Sequence, residues 1–241
     1  MEKFVPCGIC NNGYVRIKTK SGFEGLARCQ CRIQYEERIF EEMKLYEANI
    51  PKSIMGYSID SYIGPDKNGN IPKLKKFVEQ FKEKFLNKIL YMHGDIGTQK
   101  TTLACWIGRE LLKKGVSVKY TLMNKLMIDL QEERFDENTK IEPYYKCDCL
   151  IIDRAFDSKQ LTLYKSGYQI PFIDTFLRHR IDMDQKCIIF VSNVPYTEIS
   201  SHGFGYDIED LIIRKVKPYN MALQFDDHYS LKEKITDLWE N

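Results

Sequence analysis

The sequence predicts an α/β fold, a parallel sheet flanked by helices, preceded by a small four-cysteine module. Three observations carry that reading. From Lys88 onward, four short apolar runs alternate with helical stretches. Largely apolar strands separated by helices indicate a parallel sheet buried on both faces. The first of those runs leads through a glycine-containing loop into a helix, and four of the eight cysteines fall within the first 31 residues.

Composition sets the outer bounds. A chain of 241 residues allows one full domain plus a small module, at roughly 100–200 residues per domain. A hydrophobic fraction of 43% supports a real core and argues against wholesale disorder. Lys+Arg is 36 and Asp+Glu is 34, a net charge of +2. That near balance does not mark a nucleic-acid binder, although it permits a local basic face. No apolar run approaches the roughly 18–20 residues that span a bilayer. The start, MEKFVPCGIC, lacks a long apolar signal region. The expectation is a soluble, cytoplasmic chain without membrane contact, whose thiols stay reduced.

The cysteines therefore read as metal ligands, core residues or catalytic groups rather than structural disulfides. Cys7, Cys10, Cys29 and Cys31 form C-x2-C, an eighteen-residue gap and C-x-C. Two close pairs joined by a short loop suit a tetrahedral zinc site, because each pair spans one edge of the tetrahedron. Four thiolates leave no open coordination position, so the predicted role is structural. The intervening segment reads as a hairpin. Tyr14, Val15 and Ile17 lie on one strand, Ser21-Gly22 marks the turn, and Leu26 to Cys29 return. Cys105, Cys147, Cys149 and Cys187 lie on apolar segments and read as core thiols.

The elements follow in order. Arg32 to Ala48 has helical spacing, and Pro51 ends it by biasing Ile50 away from the helical region. Residues 52–72 hold three glycines and two prolines and read as a connecting segment. Residues 73–87 place Leu74, Phe77, Val78, Phe81 and Phe85 on one face of an amphipathic helix. The predicted strands are Ile89–Met92, Val116–Tyr120, Leu150–Ile152 and Cys187–Val191. The predicted helices between them are Thr101–Lys114, Asn124–Glu133 and Phe172–Arg180. The organisation predicted is a zinc and partner-binding module over 1–50, a linker with its helix over 51–87, and a nucleotide-binding domain over 88–241.

The first of these strands runs into Gly94, Asp95, Ile96, Gly97, Thr98, Gln99, Lys100, Thr101 and Thr102. This nearly fits the phosphate-loop pattern G-x-x-x-x-G-K-[ST] in its strand–loop–helix context. Loop N–H groups and the positive end of the helix would surround the phosphates of ATP. Lys100 would reach the β- and γ-phosphates, and Thr101 would ligate Mg2+. Gln99 departs from the pattern by replacing the last glycine. Cys149-Leu150-Ile151-Ile152-Asp153 is an apolar strand ending in an acid, the Walker B form, in which Asp153 helps hold Mg2+. Arg154 stands where many ATPases carry a second acid, and an arginine stays protonated and cannot act as a base. Three readings follow: Asp157 takes over, hydrolysis is slow, or nucleotide is bound without turnover. Asn193, at the end of the Ile188–Val191 run, is placed to orient the attacking water.

In this order the motifs resemble the DnaC/DnaI-type replicative helicase loaders and the related IstB transposition ATPases, within the AAA+ class. The resemblance runs through CGIC…CQC, ANIPKSIMGYSIDSY, GDIGTQKTTLACWIGRELLKKGVSVKY, LIIDRAF, FLRHR and FVSN. It implies an ATP-binding domain that assembles side by side into a homo-oligomer, an N-terminal region that grips a replicative helicase, and binding of single-stranded DNA. Lys100, Thr101 and Asp153 match the family's nucleotide and Mg2+ ligands, and Asn193 matches its sensor-1 position. Arg214, in DLIIRKV, resembles the arginine finger that reaches a neighbour's γ-phosphate. The late sensor-2 arginine is missing near Asp226–Ser230, and the length beyond leaves no room for a full helical lid. With Gln99 and Arg154, this predicts weakened hydrolysis and ATP acting as an assembly switch. A catalytically inactive P-loop adaptor and an IstB-like transposition ATPase are the alternatives. Lys113, Lys114, Arg178 and Arg180 are the basic groups near the implied DNA face, with Tyr144, Tyr145, Phe204 and Tyr206 as candidate stacking groups.

Overall fold

The computed structural model describes residues 3–18, 20, 22, 24–132, 140–157 and 170–226. The chain forms two compact units, Met1–Glu47 and Ala48–Asn241.

The first unit is a hairpin and a helix. Strands β1 (Tyr14–Lys18) and β2 (Glu24–Arg28) pair antiparallel, with Tyr14 opposite Arg28 and Lys18 opposite Glu24. Helix α1 (Gln30–Glu47) follows. Glu36 ties it back to the hairpin, accepting from Arg28 at 2.9 Å and Arg32 at 2.7 Å. Phe4 packs edge-on against Tyr35, and the Arg32 guanidinium lies 5.1 Å from the Phe4 ring centre. Among the described residues of this unit, Leu45 is the only buried hydrophobic side chain. So thin an apolar core cannot offset the entropy of ordering such a chain, and small units of this kind need a staple.

The second unit is built on a five-stranded parallel sheet. Its strands are β3 (Ile89–Gly94), β4 (Val118–Leu122), β5 (Cys149–Asp153), β6 (Cys187–Ser192) and β7 (Ala222–Phe225). Their spatial order is β4-β5-β6-β3-β7, with every pairing parallel. β5 and β6 are buried along their whole length, because helices cover both faces. Among the described residues the helices are α2 (Asn70–Glu79), α3 (Lys100–Lys113), α4 (Met123–Glu132), α5 (Glu142–Lys146), α6 (Ile170–Arg178) and α7 (Tyr206–Val216).

Three boundaries differ from expectation for physical reasons. The amphipathic helix begins at Asn70, where the Asp66 carboxylate accepts from the Asn70 and Ile71 N–H groups and caps its start. It ends at Glu79, and Phe81–Phe85 continue as a π-turn. Apolar spacing alone cannot show such a change of winding. β4 starts two residues later than the apolar run, because its pairing with β5 sets Val118 beside Cys149. The connecting segment is also more ordered than its composition suggested. Buried Arg109 donates to the Ile54 and Met55 carbonyls at 2.6 Å each, and the Asn68 and Asn70 side chains donate to the Gln224 carbonyl on β7.

Arg180 is a correction. It is fully buried and donates to the carbonyls of Tyr144, Cys147 and Cys187. It clamps α5 and the segment entering β5 to the start of β6 and has no surface to offer DNA. Phe204 and Tyr144 are buried as well, whereas Tyr206 is exposed. Cys105, Cys147, Cys149 and Cys187 are all buried, as expected of core thiols. Residues 227–241, where the sequence argued against a lid and a sensor-2 arginine, lie outside the described residues.

Candidate nucleotide and metal sites

The chain leaves β3 for the far edge strand β4, returns through β5 and β6, and then places β7 on β3's other side. The reversal lies at the C-terminal end of β3. In open α/β sheets, ligands bind outside the strand ends at such a switch point. The loop Gly94–Gln99 occupies it, and α3 begins directly after.

Gly94 makes the turn possible. Its φ is 137°, and a Cβ there would sit 2.1 Å from the Phe225 carbonyl oxygen on β7. Only glycine fits. Gln99 adopts the left-handed conformation, φ 63° and ψ 12°, so the backbone takes the form a glycine would take more easily. Its side chain turns back to donate from Nε2 to the Ile63 carbonyl at 2.7 Å.

A cleft of about 300 Å³ opens on this loop, lined by Ile96–Thr102, Asp153, Arg154 and Val191–Asn193. Lys100 is buried beneath it. Its Nζ donates to the carbonyls of Gly94 (2.9 Å) and Asp95 (2.6 Å) and to Thr98 Oγ1 (3.0 Å). Burial brings its pKa down to about 8, against the pull of Asp95 and Asp153. Burial also holds His93, one residue before the loop, below its usual value.

Thr101 Oγ1 donates to Asp153 Oδ2 at 3.0 Å, joining the start of α3 to the end of β5. The same oxygen accepts from the Tyr120 hydroxyl at 2.7 Å, and Oδ1 accepts from the Arg154 N–H at 2.7 Å. A hydroxyl and a carboxylate at one point are the hard oxygen donors that Mg2+ takes. Arg154 has φ 52° and lines the cleft, whereas Asp157 does not line it. Asn193 is exposed at the end of β6 and also lines the cleft. Arg214 lies apart, exposed on α7, where it pairs with Asp210 at 2.7 Å. The structure thus brings Gly97–Thr102, Asp153 and Asn193 together and leaves Arg214 outside. Tyr120 is the group that sequence reading missed. Its partner is 33 residues further on, so only the sheet register reveals it.

In the first unit, Cys7, Cys10, Cys29 and Cys31 converge. Their four Sγ atoms all lie within 4.8 Å of one another. Cys7 and Cys29 are 3.6 Å apart, and Cys10 and Cys31 are 3.5 Å apart. A tetrahedron with metal–sulfur bonds near 2.3 Å has edges of roughly 3.8 Å, so this cluster can hold a metal ion. The Ile9 N–H, followed by the neighbouring thiols, brings Cys7 down to about 6. That favours the thiolate, the form that ligates metal, at Cys7, whereas burial and the neighbouring thiols hold Cys10 above its usual value.

Several solved structures share the fold over about three quarters of the chain. A DnaC helicase loader matches at 18% identity over 73% of this chain and 99% of that one, with TM-score 0.53. A crystal structure of DnaI matches at 21% identity over 73% and 94%, with TM-score 0.53. At these identities the likeness is one of fold, which the chain shares with the DnaC and DnaI structures. A replication initiator DnaA bound to AMPPCP and single-stranded DNA has a similar fold, at 17% identity and TM-score 0.56 over 79% of this chain. The chain spans little more than half the length of the DnaA-type proteins it matches. No protein-family model and no curated protein matches the sequence. Among the described residues, no helix is long and apolar enough to cross a membrane.

Proposed function

We propose that the chain is an ATP-binding helicase loader, a replication accessory protein that delivers a replicative helicase to single-stranded DNA. The observation that carries this reading is the contact of Thr101 with Asp153 at 3.0 Å, at the mouth of a phosphate loop on the sheet's switch point. Residues at this point in an AAA+ fold serve ATP and Mg2+. The likeness to a DnaC helicase loader and to DnaI points to loading. The DnaA relative, which holds AMPPCP and single-stranded DNA, supports nucleotide and DNA as ligands.

In this reading the N–H groups of Gly97–Thr102 and the ammonium of Lys100 hold the phosphates. Lys100 exchanges its loop carbonyls for phosphate oxygens. Thr101 and Asp153 hold Mg2+, which neutralises charge on the phosphates. Asn193 faces the same cleft and orients water. Arg154 replaces a potential base, so turnover is slow and ATP acts chiefly as an assembly switch. Exposed Arg214 would complete a neighbour's site in a homo-oligomer. Zn2+ in the four-cysteine cluster would stiffen the N-terminal unit, which we assign to the helicase contact.

Sedimentation of the full chain with and without ATP-Mg2+, together with a fluorescent-ATP titration, tests the reading. Wild type is expected to bind at micromolar nucleotide and assemble, and Lys100→Ala to do neither. Identical sedimentation of the two proteins with ATP would remove the switch. Absence of binding at millimolar ATP would leave a nucleotide-independent adaptor.

A further inference from the structure

We infer that Tyr120 is the positioning residue of the divalent-cation site: its phenol holds the Asp153 carboxylate so that Oδ2 faces Thr101. The inference rests on the nucleotide reading above and deepens it. It begins with register. Leu122 of β4 lies beside Asp153 of β5. Side chains on a strand repeat every two residues, so Tyr120 shares the face on which Asp153 stands, one step back along the strand. That diagonal is within reach of a tyrosine. The hydroxyl meets Oδ2 at 2.7 Å, beside the Thr101 contact at 3.0 Å.

An ionised carboxylate only accepts hydrogen bonds, so each of these neighbours fixes its orientation as a donor. The Arg154 N–H fixes Oδ1, and Tyr120 with Thr101 fixes Oδ2. Thr101 is itself a prospective cation ligand, which leaves Tyr120 as the side chain that constrains Oδ2 without competing for the ion. Its own backbone is anchored, since the Tyr120 N–H donates to the Ala48 carbonyl at 2.8 Å. A phenol is protonated at neutral pH and so stands opposite the carboxylate as a donor. Groups that orient a metal ligand in this way typically cost about 10–100-fold in metal affinity when lost.

The test is the Mg2+ dependence of fluorescent-ATP binding to the full chain, with an EDTA baseline. Tyr120→Phe keeps the ring and removes only the hydroxyl. It is expected to raise the half-saturating Mg2+ concentration about tenfold, with binding in EDTA unchanged. Tyr144→Phe is the control. It removes another phenol of the same unit, one that donates to Asp129 at 2.9 Å far along the chain from the loop, and should leave the Mg2+ dependence as in wild type. An unchanged Mg2+ dependence in Tyr120→Phe overturns the inference alone. An equal shift in both variants also overturns it, since the effect would then be general loosening. A wild-type protein that binds no nucleotide overturns the nucleotide reading and this inference with it.

Discussion

Gln99 Nε2 donates to the carbonyl oxygen of Ile63 at 2.7 Å, across 36 residues of sequence. The bond ties the phosphate loop to the segment that precedes α2. It also offsets the left-handed backbone of Gln99, which costs a side-chain-bearing residue roughly 1–2 kcal/mol. Gln99→Ala keeps the strain and loses the bond, so it should destabilise by about 1–2 kcal/mol. Gln99→Gly loses the bond but relieves the strain, so it should melt near wild type. Thermal unfolding of the two variants checks the order. An alanine variant more stable than the glycine variant would show that the left-handed strain does not matter, and an alanine variant as stable as wild type would show the same of the Ile63 contact.

Gly94→Ala should be far more damaging. The added Cβ would meet the Phe225 carbonyl oxygen at 2.1 Å, and the φ of 137° is open to glycine alone. Overpacking and backbone strain each cost about 1–3 kcal/mol, so β7 should separate from β3. A melting temperature within a degree of wild type would contradict the close approach.

How much of this was legible in sequence depended on how far each partner lay along the chain. β5 and β6 declared themselves because every residue is buried, and a strand covered on both faces is a continuous apolar run. β7 is four residues long and carries Gln224, so no pattern announces it. It is fixed by parallel pairing with β3. Lys100 and Thr101 stood out by the loop's spacing and Asp153 by its place at the end of an apolar strand, and the structure brings the three to one cleft. Tyr120, Ile63 and the buried Arg180 were not, because each acts on a group reached only through the tertiary fold. Arg180 shows the hazard in the other direction: a basic residue in a helical stretch reads as surface until four carbonyls are found within its reach.

On the proposed function, the depressed pKa of Lys100 gives nucleotide binding a defined pH dependence. Burial sets it at about 8 in the nucleotide-free protein, and phosphate oxygens around the ammonium would raise it. Below pH 8 the lysine is charged in both states, and affinity is independent of this group. Above pH 8 the free protein loses a proton that the complex keeps, so binding takes up a proton and affinity falls. The limiting slope is about tenfold per pH unit until the pKa of the complex is passed. Titration calorimetry from pH 7 to pH 9.5 in buffers of different ionisation enthalpy reads both quantities. Constant affinity through pH 9.5 without proton uptake would place the ammonium away from the phosphates.

The N-terminal unit should depend on its metal for folding, and the reason is its lack of core. Leu45 is its only buried hydrophobic side chain among the described residues. Its other ties among the described residues include the Phe4–Tyr35 ring contact and exposed or half-exposed ion pairs such as Arg28–Glu36, the pairs each worth at most about 1 kcal/mol. Against this stands a four-thiolate site, whose metal binding free energy becomes folding free energy because no such site exists in the unfolded chain. Metal analysis of protein purified without chelator is expected to give about one zinc per chain, and a Cys7→Ser/Cys10→Ser variant none. The variant should lose helical signal on the scale of α1's 18 residues. Nucleotide binding should persist, because the phosphate loop, Thr101 and Asp153 all belong to the other unit. A metal-free wild type with full helicity would refute the staple. Loss of ATP binding in the double variant would show that the two units are not energetically independent.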